Sequence, residues 1–198
     1  MGSDKALLAL AGRPLIAHVL STLREAGLTA SIAGARSALA AFAPVIEDSQ
    51  PGKGPLGGIC AALASTSACR AVFLSVDLPL LPASLIVYLL HHARITGAAV
   101  TLCSVNGFRQ TFPAVIRRES LPQLLTELES GKGGCYAAFQ AASAHLGQAP
   151  TILPVEYLVQ SGHVAHPESL PAVRWFLNVN TPADLRCAVR SISSAPVA

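Results

Sequence analysis

The chain has 198 residues, of which 52% are hydrophobic and 13% are charged, and its formal net charge is +3. This length and apolar content suit a folded domain and exclude a disordered chain. The 14 basic residues form no run, which argues against a nucleic-acid-binding protein. No segment has the ~20 apolar residues of a membrane span, and none has the pattern of a signal peptide. We therefore expect a cytoplasmic protein that binds a small anionic ligand and keeps its five cysteines reduced and mostly buried.

Helix and strand patterns alternate along the chain. In chain order they predict a helix over 14–26, a strand over 28–33, a weak helix over 37–42, a strand over 45–46, a loop over 47–58, a helix over 59–65, a strand over 71–76, a helix over 83–94, strands over 98–105 and 112–116 joined by a hairpin, helices over 121–129 and 136–144, a strand over 151–154 in an otherwise irregular stretch 145–175, a strand over 176–179 and a helix over 182–189. Residues 1–190 are predicted to form one domain, and 191–198 a disordered tail. This order predicts an α/β fold with a largely parallel sheet covered by helices on both faces.

Asp77 is the first candidate for chemistry, because ligands of such sheets bind at the carboxyl ends of strands. It closes the strand pattern AVFLSV and precedes a loop stiffened by Pro79 and Pro82. A carboxylate at this place suits Mg²⁺, which prefers oxygen ligands and shares them with phosphates. The alternative is that Asp77 only caps the following turn.

Two glycine-rich loops leave backbone amides free for an anion, at 47–58 and 130–134. Neither has the spacing of a phosphate-binding Walker motif, so an ordinary flexible loop is the alternative for each. Lys5 could offset phosphate charge, although lysines near a terminus are usually solvated. Alternation places the side chains of Asn178 and Asn180 on the same side of a strand. A capping turn at Thr181 would explain the presence of Asn180, but it would not explain Asn178.

Four parts of the chain, taken together and in order, carry a resemblance to a known family. They are residues 1–8 with 12–19, 45–48 with 54–58, 76–82, and 178–185. The chain resembles MobA-type molybdenum cofactor guanylyltransferases, which belong to a wider group of nucleotidyltransferases. The resemblance implies a Rossmann-like, three-layer α/β/α fold with a mostly parallel sheet. The Asn-Val-Asn sequence at 178–180 favours the guanylyl-transferring branch over cytidylyl-transferring relatives.

The resemblance also implies an activity, namely transfer of GMP from GTP to molybdopterin with release of pyrophosphate. Carried over by motif, Lys5 would hold the phosphates, Asp48 would lie in the nucleotide pocket, and Asp77 would bind Mg²⁺. Asn178 and Asn180 would face the second substrate or the metal.

Further expectations concern Lys132 and the partners. Lys132, which stands between two glycines, would reach the phosphate of the pterin. The expected partners are GTP, the molybdopterin cofactor, and other proteins of molybdenum-cofactor biosynthesis or recipient molybdoenzymes, with no nucleic acid and no membrane.

The chain departs from the family pattern at its beginning. Family members start with a strand and a loop of the type Leu-Ala-Gly-Gly-x-Ser-x-Arg-Met-Gly, and Met1-Gly2 coincides with the end of that loop. The simplest explanation is a start codon assigned too far downstream, at an internal Met, or a fragment of a longer chain. If the protein does begin at Met1, a central strand and the loop are missing and neighbouring strands have exposed edges, and we then expect poor stability and little or no GTP binding. A second departure is Ala33-Gly34-Ala35, where relatives often have Asn.

Two other functions remain open from the sequence. One is a nucleotidyltransferase of the same fold that uses CTP or a sugar phosphate. The other is a non-catalytic remnant that binds a partner or cofactor. The missing loop favours this alternative, and the presence of Lys5, Asp48 and Asp77 argues against it.

Overall fold

The computed structural model describes residues 5–34, 37–48, 50, 52–131 and 133–193, and within them it contains eight strands and eight α-helices. The strands are β1 (Ala9–Leu10), β2 (Arg13–Pro14), β3 (Ile32–Ala33), β4 (Val45–Ile46), β5 (Arg70–Phe73), β6 (Val100–Val105), β7 (Phe108–Arg117) and β8 (Thr151–Pro154). The helices are α1 (Leu15–Glu25), α2 (Pro55–Ser65), α3 (Ala83–Thr96), α4 (Leu121–Ser130), α5 (Cys135–His145), α6 (Val155–Gln160), α7 (Ala172–Trp175) and α8 (Pro182–Ser193). Short 3₁₀ turns lie at Lys5–Leu7, Ser37–Leu39 and Arg118–Ser120.

The main sheet has four strands in the order β5-β7-β6-β8. β7 is antiparallel to both β5 and β6, whereas β6 is parallel to β8. β5 and β6 therefore run in the same direction, and their carboxyl ends lie at the same edge of the sheet. The predicted hairpin between β6 and β7 is confirmed. It turns at Asn106 and Gly107, whose φ angles of 50° and 76° are those that a two-residue hairpin requires.

Helices cover both faces of this sheet, which confirms the three-layer α/β/α fold. On one face, α2, α4 and α5 pack on β6 and β7 around the fully buried Phe139. On the other face, α3, α6 and α7 pack on the same two strands around Trp175. Because both faces are covered, β6 and β7 are apolar along most of their length, as predicted for a buried sheet.

The proportion of parallel pairing is lower than predicted. Among the described strands, β3–β4 and β6–β8 are parallel pairs, while β1–β2, β5–β7 and β6–β7 are antiparallel. The reason is the position of β7. A strand that follows β6 through a two-residue turn must be antiparallel to it, and β7 then lies between two strands of the opposite direction.

β3 and β4 form a separate two-stranded sheet. Among the described strands, β3 pairs only with β4 and β5 pairs only with β7, so backbone hydrogen bonding is interrupted between β3 and β5. Accordingly, the residues of β5 are half-buried rather than buried, although the apolar AVFLSV pattern predicts a strand covered on all sides. The side chain of Val76 still contacts apolar residues from both α1 and β3, which connects the two sheets through packing.

Several predicted boundaries are wrong for identifiable reasons. β5 ends at Phe73 rather than at Val76, because its partner Ala114 is preceded on β7 by Pro113, which has no N–H to donate. α2 begins at Pro55 rather than at residue 59, because proline is favoured in the first turn of a helix and Leu56 is buried in the core.

The carboxyl-terminal part also differs from expectation. The stretch 145–175 contains α6 and α7 in addition to the predicted β8, and residues 176–179 form no strand. α8 extends to Ser193, three residues into the predicted tail, and residues 194–198 lie outside the described ranges.

The five cysteines are free thiols, but only Cys60 and Cys103 are buried, while Cys69 is exposed and the other two are half-buried. In the described part of the chain, no helix combines the length and the apolar composition needed to cross a membrane.

Candidate active site

Three polar side chains from distant parts of the sequence meet at the carboxyl end of β5. The Lys5 ammonium donates a hydrogen bond of 3.1 Å to Asp77 Oδ2 and a second one to Asn180 Oδ1. Lys5 lies in the first 3₁₀ turn, Asp77 follows β5, and Asn180 directly precedes the residue that caps α8. The structure thus brings together three of the residues that the sequence singled out.

Backbone hydrogen bonding and burial hold this arrangement in place. The N–H of Val179 donates to the carbonyl of Asp77 over 2.9 Å. The Val179 side chain is fully buried in a cluster with Leu10, Leu15 and Leu80. Because Val179 is anchored in this way, the next residue, Asn180, is placed beside Asp77 despite the absence of a strand at 176–179.

A capping box fixes the start of α8 and the backbone of Asn180. The Asp184 carboxylate accepts hydrogen bonds from the N–H groups of Asn180 and Thr181 and from the Thr181 hydroxyl, at 2.8–3.0 Å. In return, the N–H of Asp184 donates to the Thr181 hydroxyl over 3.2 Å. These bonds, the hydroxyl of Thr181 foremost, lower the pKa of Asp184. The capping role that the sequence predicted for Thr181 is confirmed.

Asp77 has one carboxylate oxygen engaged and one left over. Oδ2 receives the Lys5 ammonium, but Oδ1 is buried and accepts no hydrogen bond from any described residue. A buried acceptor without a partner costs free energy, so each such atom calls for an explanation, and at a cluster of charged groups a bound cation is one. No group of three or more His, Cys, Asp and Glu side chains within the described ranges is arranged to hold a metal ion by itself.

Asp48 precedes α2 in the sequence, and its carboxylate lies against Gly57 in the first turn of that helix. Its Oδ1 accepts a 2.8 Å hydrogen bond from the N–H of Gln50. The carboxylate is so close to Gly57 that a methyl group on that glycine would lie 2.5 Å from Oδ2, so this position in the helix needs a residue without a side chain. Burial, the Asp48 charge and the Cys135 thiol together raise the pKa of Cys60 to about 11.

Comparison with known proteins supplies the family. The model of the MobA-like NTP transferase domain matches residues 1–147 of the chain, which is more than half of its length. The chain belongs to this family.

Curated relatives cover most of the chain. The probable molybdenum cofactor guanylyltransferase of Carboxydothermus hydrogenoformans is 29% identical over 185 residues, which are 93% of this chain and 86% of the relative. The probable molybdenum cofactor guanylyltransferase of Haloferax mediterranei is 30% identical over 193 residues, covering 93% and 84%. Among solved structures, molybdopterin-guanine dinucleotide biosynthesis protein A from Archaeoglobus fulgidus superimposes with a TM-score of 0.76 at 21% identity, over 97% of this chain and 92% of that one, which supports the fold.

Asn178 and Asp48, also singled out in this MobA-like chain, are not hydrogen-bonded to Lys5 or Asp77 within the described ranges. The Asn178 side chain is exposed. Lys132 lies outside the described residues. The roles of Asn178, Asp48 and Lys132 therefore stay predictions.

The sequence analysis of this MobA-like chain missed a pair on the same edge of the sheet. Arg109 Nη1 donates a 2.7 Å hydrogen bond to the Tyr136 hydroxyl, and the guanidinium carbon lies 4.5 Å from the centroid of the Tyr136 ring. Arg109 is an isolated cation in the sequence, so only its place beside the hairpin turn could have drawn attention to it. The contact with Tyr136 depends on how α5 packs against the sheet.

Proposed function

We propose that this chain transfers GMP from GTP to molybdopterin and releases pyrophosphate. A phosphate oxygen of molybdopterin forms a bond to the α-phosphorus of GTP, and the bond from that phosphorus to the bridging oxygen of the β-phosphate breaks. The observation that supports this most directly is the contact of Lys5 with Asp77 and Asn180 in a chain of the MobA-like NTP transferase family. The curated relatives, named molybdenum cofactor guanylyltransferases, suggest the substrates.

Lys5 and Asp77 would have different electrostatic roles: Lys5 would contact the triphosphate directly, and Asp77 would hold Mg²⁺. Attack on the α-phosphorus requires in-line positioning and neutralisation of the phosphates more than it requires a strong base. In our proposal, the Lys5 ammonium moves away from Asp77 and contacts the triphosphate. The hydrogen bond from Lys5 to Asn180 keeps the Lys5 side chain oriented. The fixed backbone at 179–180 reduces the conformational entropy that binding must offset.

Mg²⁺ fits the residues present and forms part of the proposal. The buried Asp77 Oδ1 lacks a partner among the described residues, and the Lys5 ammonium is shared by the other Asp77 oxygen, Oδ2, and the Asn180 amide oxygen. Mg²⁺ is typically held by one or two carboxylates together with substrate phosphates, so a larger cluster of acids is not needed. When bound, the ion would neutralise charge on the phosphates and on the leaving pyrophosphate.

The remaining assignments complete the proposal. Asp48, beside the first turn of α2, would line the nucleotide pocket, while Asn178 and Lys132 would serve the second substrate. The protein would act in the cytoplasm beside other proteins of molybdenum-cofactor biosynthesis or recipient molybdoenzymes. Its free thiols, which suit a reducing compartment, support that location.

The experiment is a transfer assay with the purified protein, including any residues encoded in frame ahead of Met1, together with molybdopterin, Mg²⁺ and either GTP or CTP. We expect pyrophosphate release and a guanine dinucleotide product, identified by mass spectrometry, with GTP as the preferred nucleotide. Preferential use of CTP would favour the cytidylyl-transferring alternative. Absence of transfer from either nucleotide, together with no thermal stabilisation by them, would contradict the proposal and favour a non-catalytic role.

A further inference from the structure

Arg109 is a cation held in place without an acidic partner. It is exposed, at the second position of β7, and its guanidinium is fixed by both the ring and the hydroxyl of Tyr136. A guanidinium has five N–H donors, and the Tyr136 hydroxyl accepts from one of them. Within the described ranges, Arg109 forms no ion pair and its guanidinium donates no other hydrogen bond.

The pair lies at the edge of the sheet that carries Asp77. Arg109 is paired with Ser104 near the carboxyl end of β6, and β6 runs in the same direction as β5. Tyr136 is the second residue of the eleven-residue helix α5, which begins after the exposed Gly133 and Gly134. The pair therefore belongs to the same edge as the proposed active site.

Two of the described cations on this edge, Lys5 and Arg109, have different environments. Lys5 is already engaged by Asp77 and Asn180, and in our proposal it serves the triphosphate. Arg109 is free to take a second anion. Its planar fork matches two oxygens of a phosphate, and its restraint by Tyr136 reduces the entropy lost on binding. The amino-terminal end of α5 beside it adds a favourable electrostatic field for an anion.

We infer that Arg109, oriented by Tyr136, binds the phosphate monoester of the second substrate. This inference rests on the proposed function, because it assigns the triphosphate to Lys5 and Asp77 and leaves a phosphorylated acceptor for Arg109. The acceptor's phosphate would then be held by the guanidinium while one of its oxygens remains available for attack.

The test is binding of molybdopterin without nucleotide, measured by anaerobic equilibrium dialysis. Arg109→Gln should weaken molybdopterin binding by about tenfold or more, since it removes hydrogen bonds to a charged group. Arg109→Lys should weaken binding less, because it keeps the charge but not the planar fork. Arg118→Gln is the matched control, since it removes the same charge from an exposed site at the opposite end of β7 and should leave binding unchanged.

GTP binding in the same variants separates this inference from the proposed function. We expect the affinity for GTP to stay within twofold in Arg109→Gln, and the melting temperature without ligand to stay unchanged. Equal molybdopterin binding by Arg109→Gln and the unsubstituted chain would overturn the inference, as would an equal loss of GTP binding or no binding of molybdopterin at all. If Arg109→Gln loses molybdopterin while the unsubstituted chain binds it but transfers no GMP, the subsite stands and the proposed function fails.

Discussion

Replacing Asp77 by Ala should separate stability from activity. The Lys5–Asp77 ion pair is partly exposed, with side-chain exposures of 32% and 21%, so its loss should cost only about 0–1 kcal/mol. The same substitution removes the buried, unpartnered Oδ1, whose burial costs roughly 1–3 kcal/mol. The two terms together predict that Asp77→Ala leaves the free energy of unfolding unchanged or raises it by up to about 3 kcal/mol.

Activity should change in the opposite direction. If Asp77 holds Mg²⁺ against the triphosphate, its loss removes several kcal/mol of charge stabilisation, and pyrophosphate release should fall at least ~100-fold. The assays are urea unfolding without ligand and pyrophosphate release with GTP, Mg²⁺ and molybdopterin. Glu119→Ala is the control, because it removes an acid that is 69% exposed and ion-paired with Arg117. It should change stability by less than about 1 kcal/mol and leave activity intact.

Two results would refute this reasoning. A loss of more than about 1.5 kcal/mol of stability in Asp77→Ala would mean that the carboxylate is a structural group whose buried oxygen is satisfied in solution. Undiminished pyrophosphate release with unchanged Mg²⁺ dependence would mean that Asp77 does not handle the phosphates. The combination expected for Asp77→Ala, an unchanged or higher stability with a large loss of activity, is typical of substitutions at active-site residues.

Three further predictions concern stability. Thr181→Ala should lower the free energy of unfolding by about 1 kcal/mol at pH 7 through loss of the α8 cap. The pKa of Asp184 is lower in the folded chain than its ordinary value of 3.8, so the Asp184 carboxylate stabilises the fold above pH 3.8 and loses this contribution as the pH falls further. Urea titrations should therefore show that the stability deficit of Thr181→Ala becomes smaller toward pH 3. Phe139→Ala should cost roughly 3–5 kcal/mol, because this side chain is fully buried, whereas Phe108→Ala, at a site that is 74% exposed, should change stability by less than about 0.5 kcal/mol. The pKa of the Cys60 thiol is raised in the folded chain, so the stabilisation of the fold by the neutral thiol is present below pH 9 and is lost as the pH rises toward 11. The urea midpoint should therefore fall between pH 8 and pH 10.5, and this fall should be smaller in Cys60→Ala.

Each of these has an outcome that contradicts it. A deficit of Thr181→Ala that stays constant from pH 7 to pH 3 would show that the Asp184 carboxylate does not depend on the cap. Similar losses for Phe139→Ala and Phe108→Ala would contradict the assignment of the core between α5 and the sheet. An alkaline fall of the urea midpoint that is unchanged in Cys60→Ala would assign the effect to other groups, of which the buried Cys103, with its raised pKa, is one.

The fold class was accessible from sequence because it depends on local patterns. Alternating helix and strand patterns, the stop at Gly27, the Asn-Gly turn and the capping residues before α8 act within a few positions. The predicted elements were found within a few residues, except that the helix over 37–42 is only a 3₁₀ turn at Ser37–Leu39 and that residues 176–179 form no strand. The family motifs likewise lie in short contiguous segments, which is why Lys5, Asp77 and Asn180 could be singled out before their contact was known.

Pairing between distant segments could not be read in this way. The position of β7 between β5 and β6 changed the predominant strand direction, and Pro113 on β7 ended β5 early. The missing strand at 176–179 was replaced by a single backbone hydrogen bond from Val179 to Asp77. In each case the partner lies tens of residues away, and propensity carries no information about it.

The residues with the chemistry of a nucleotide-handling site, and the elements near which they lie, could be identified from short segments of the amino-acid sequence. Which of these residues touch depends on long-range packing, since the contact between residues 5, 77 and 180 requires Val179 and Val76 to pack in shared apolar clusters. The tertiary structure also decided that one oxygen of Asp77 is left without a partner among the described residues and that Arg109 rests on Tyr136. The physical reason is that side-chain periodicity is a local property, whereas packing sums contacts over the whole chain.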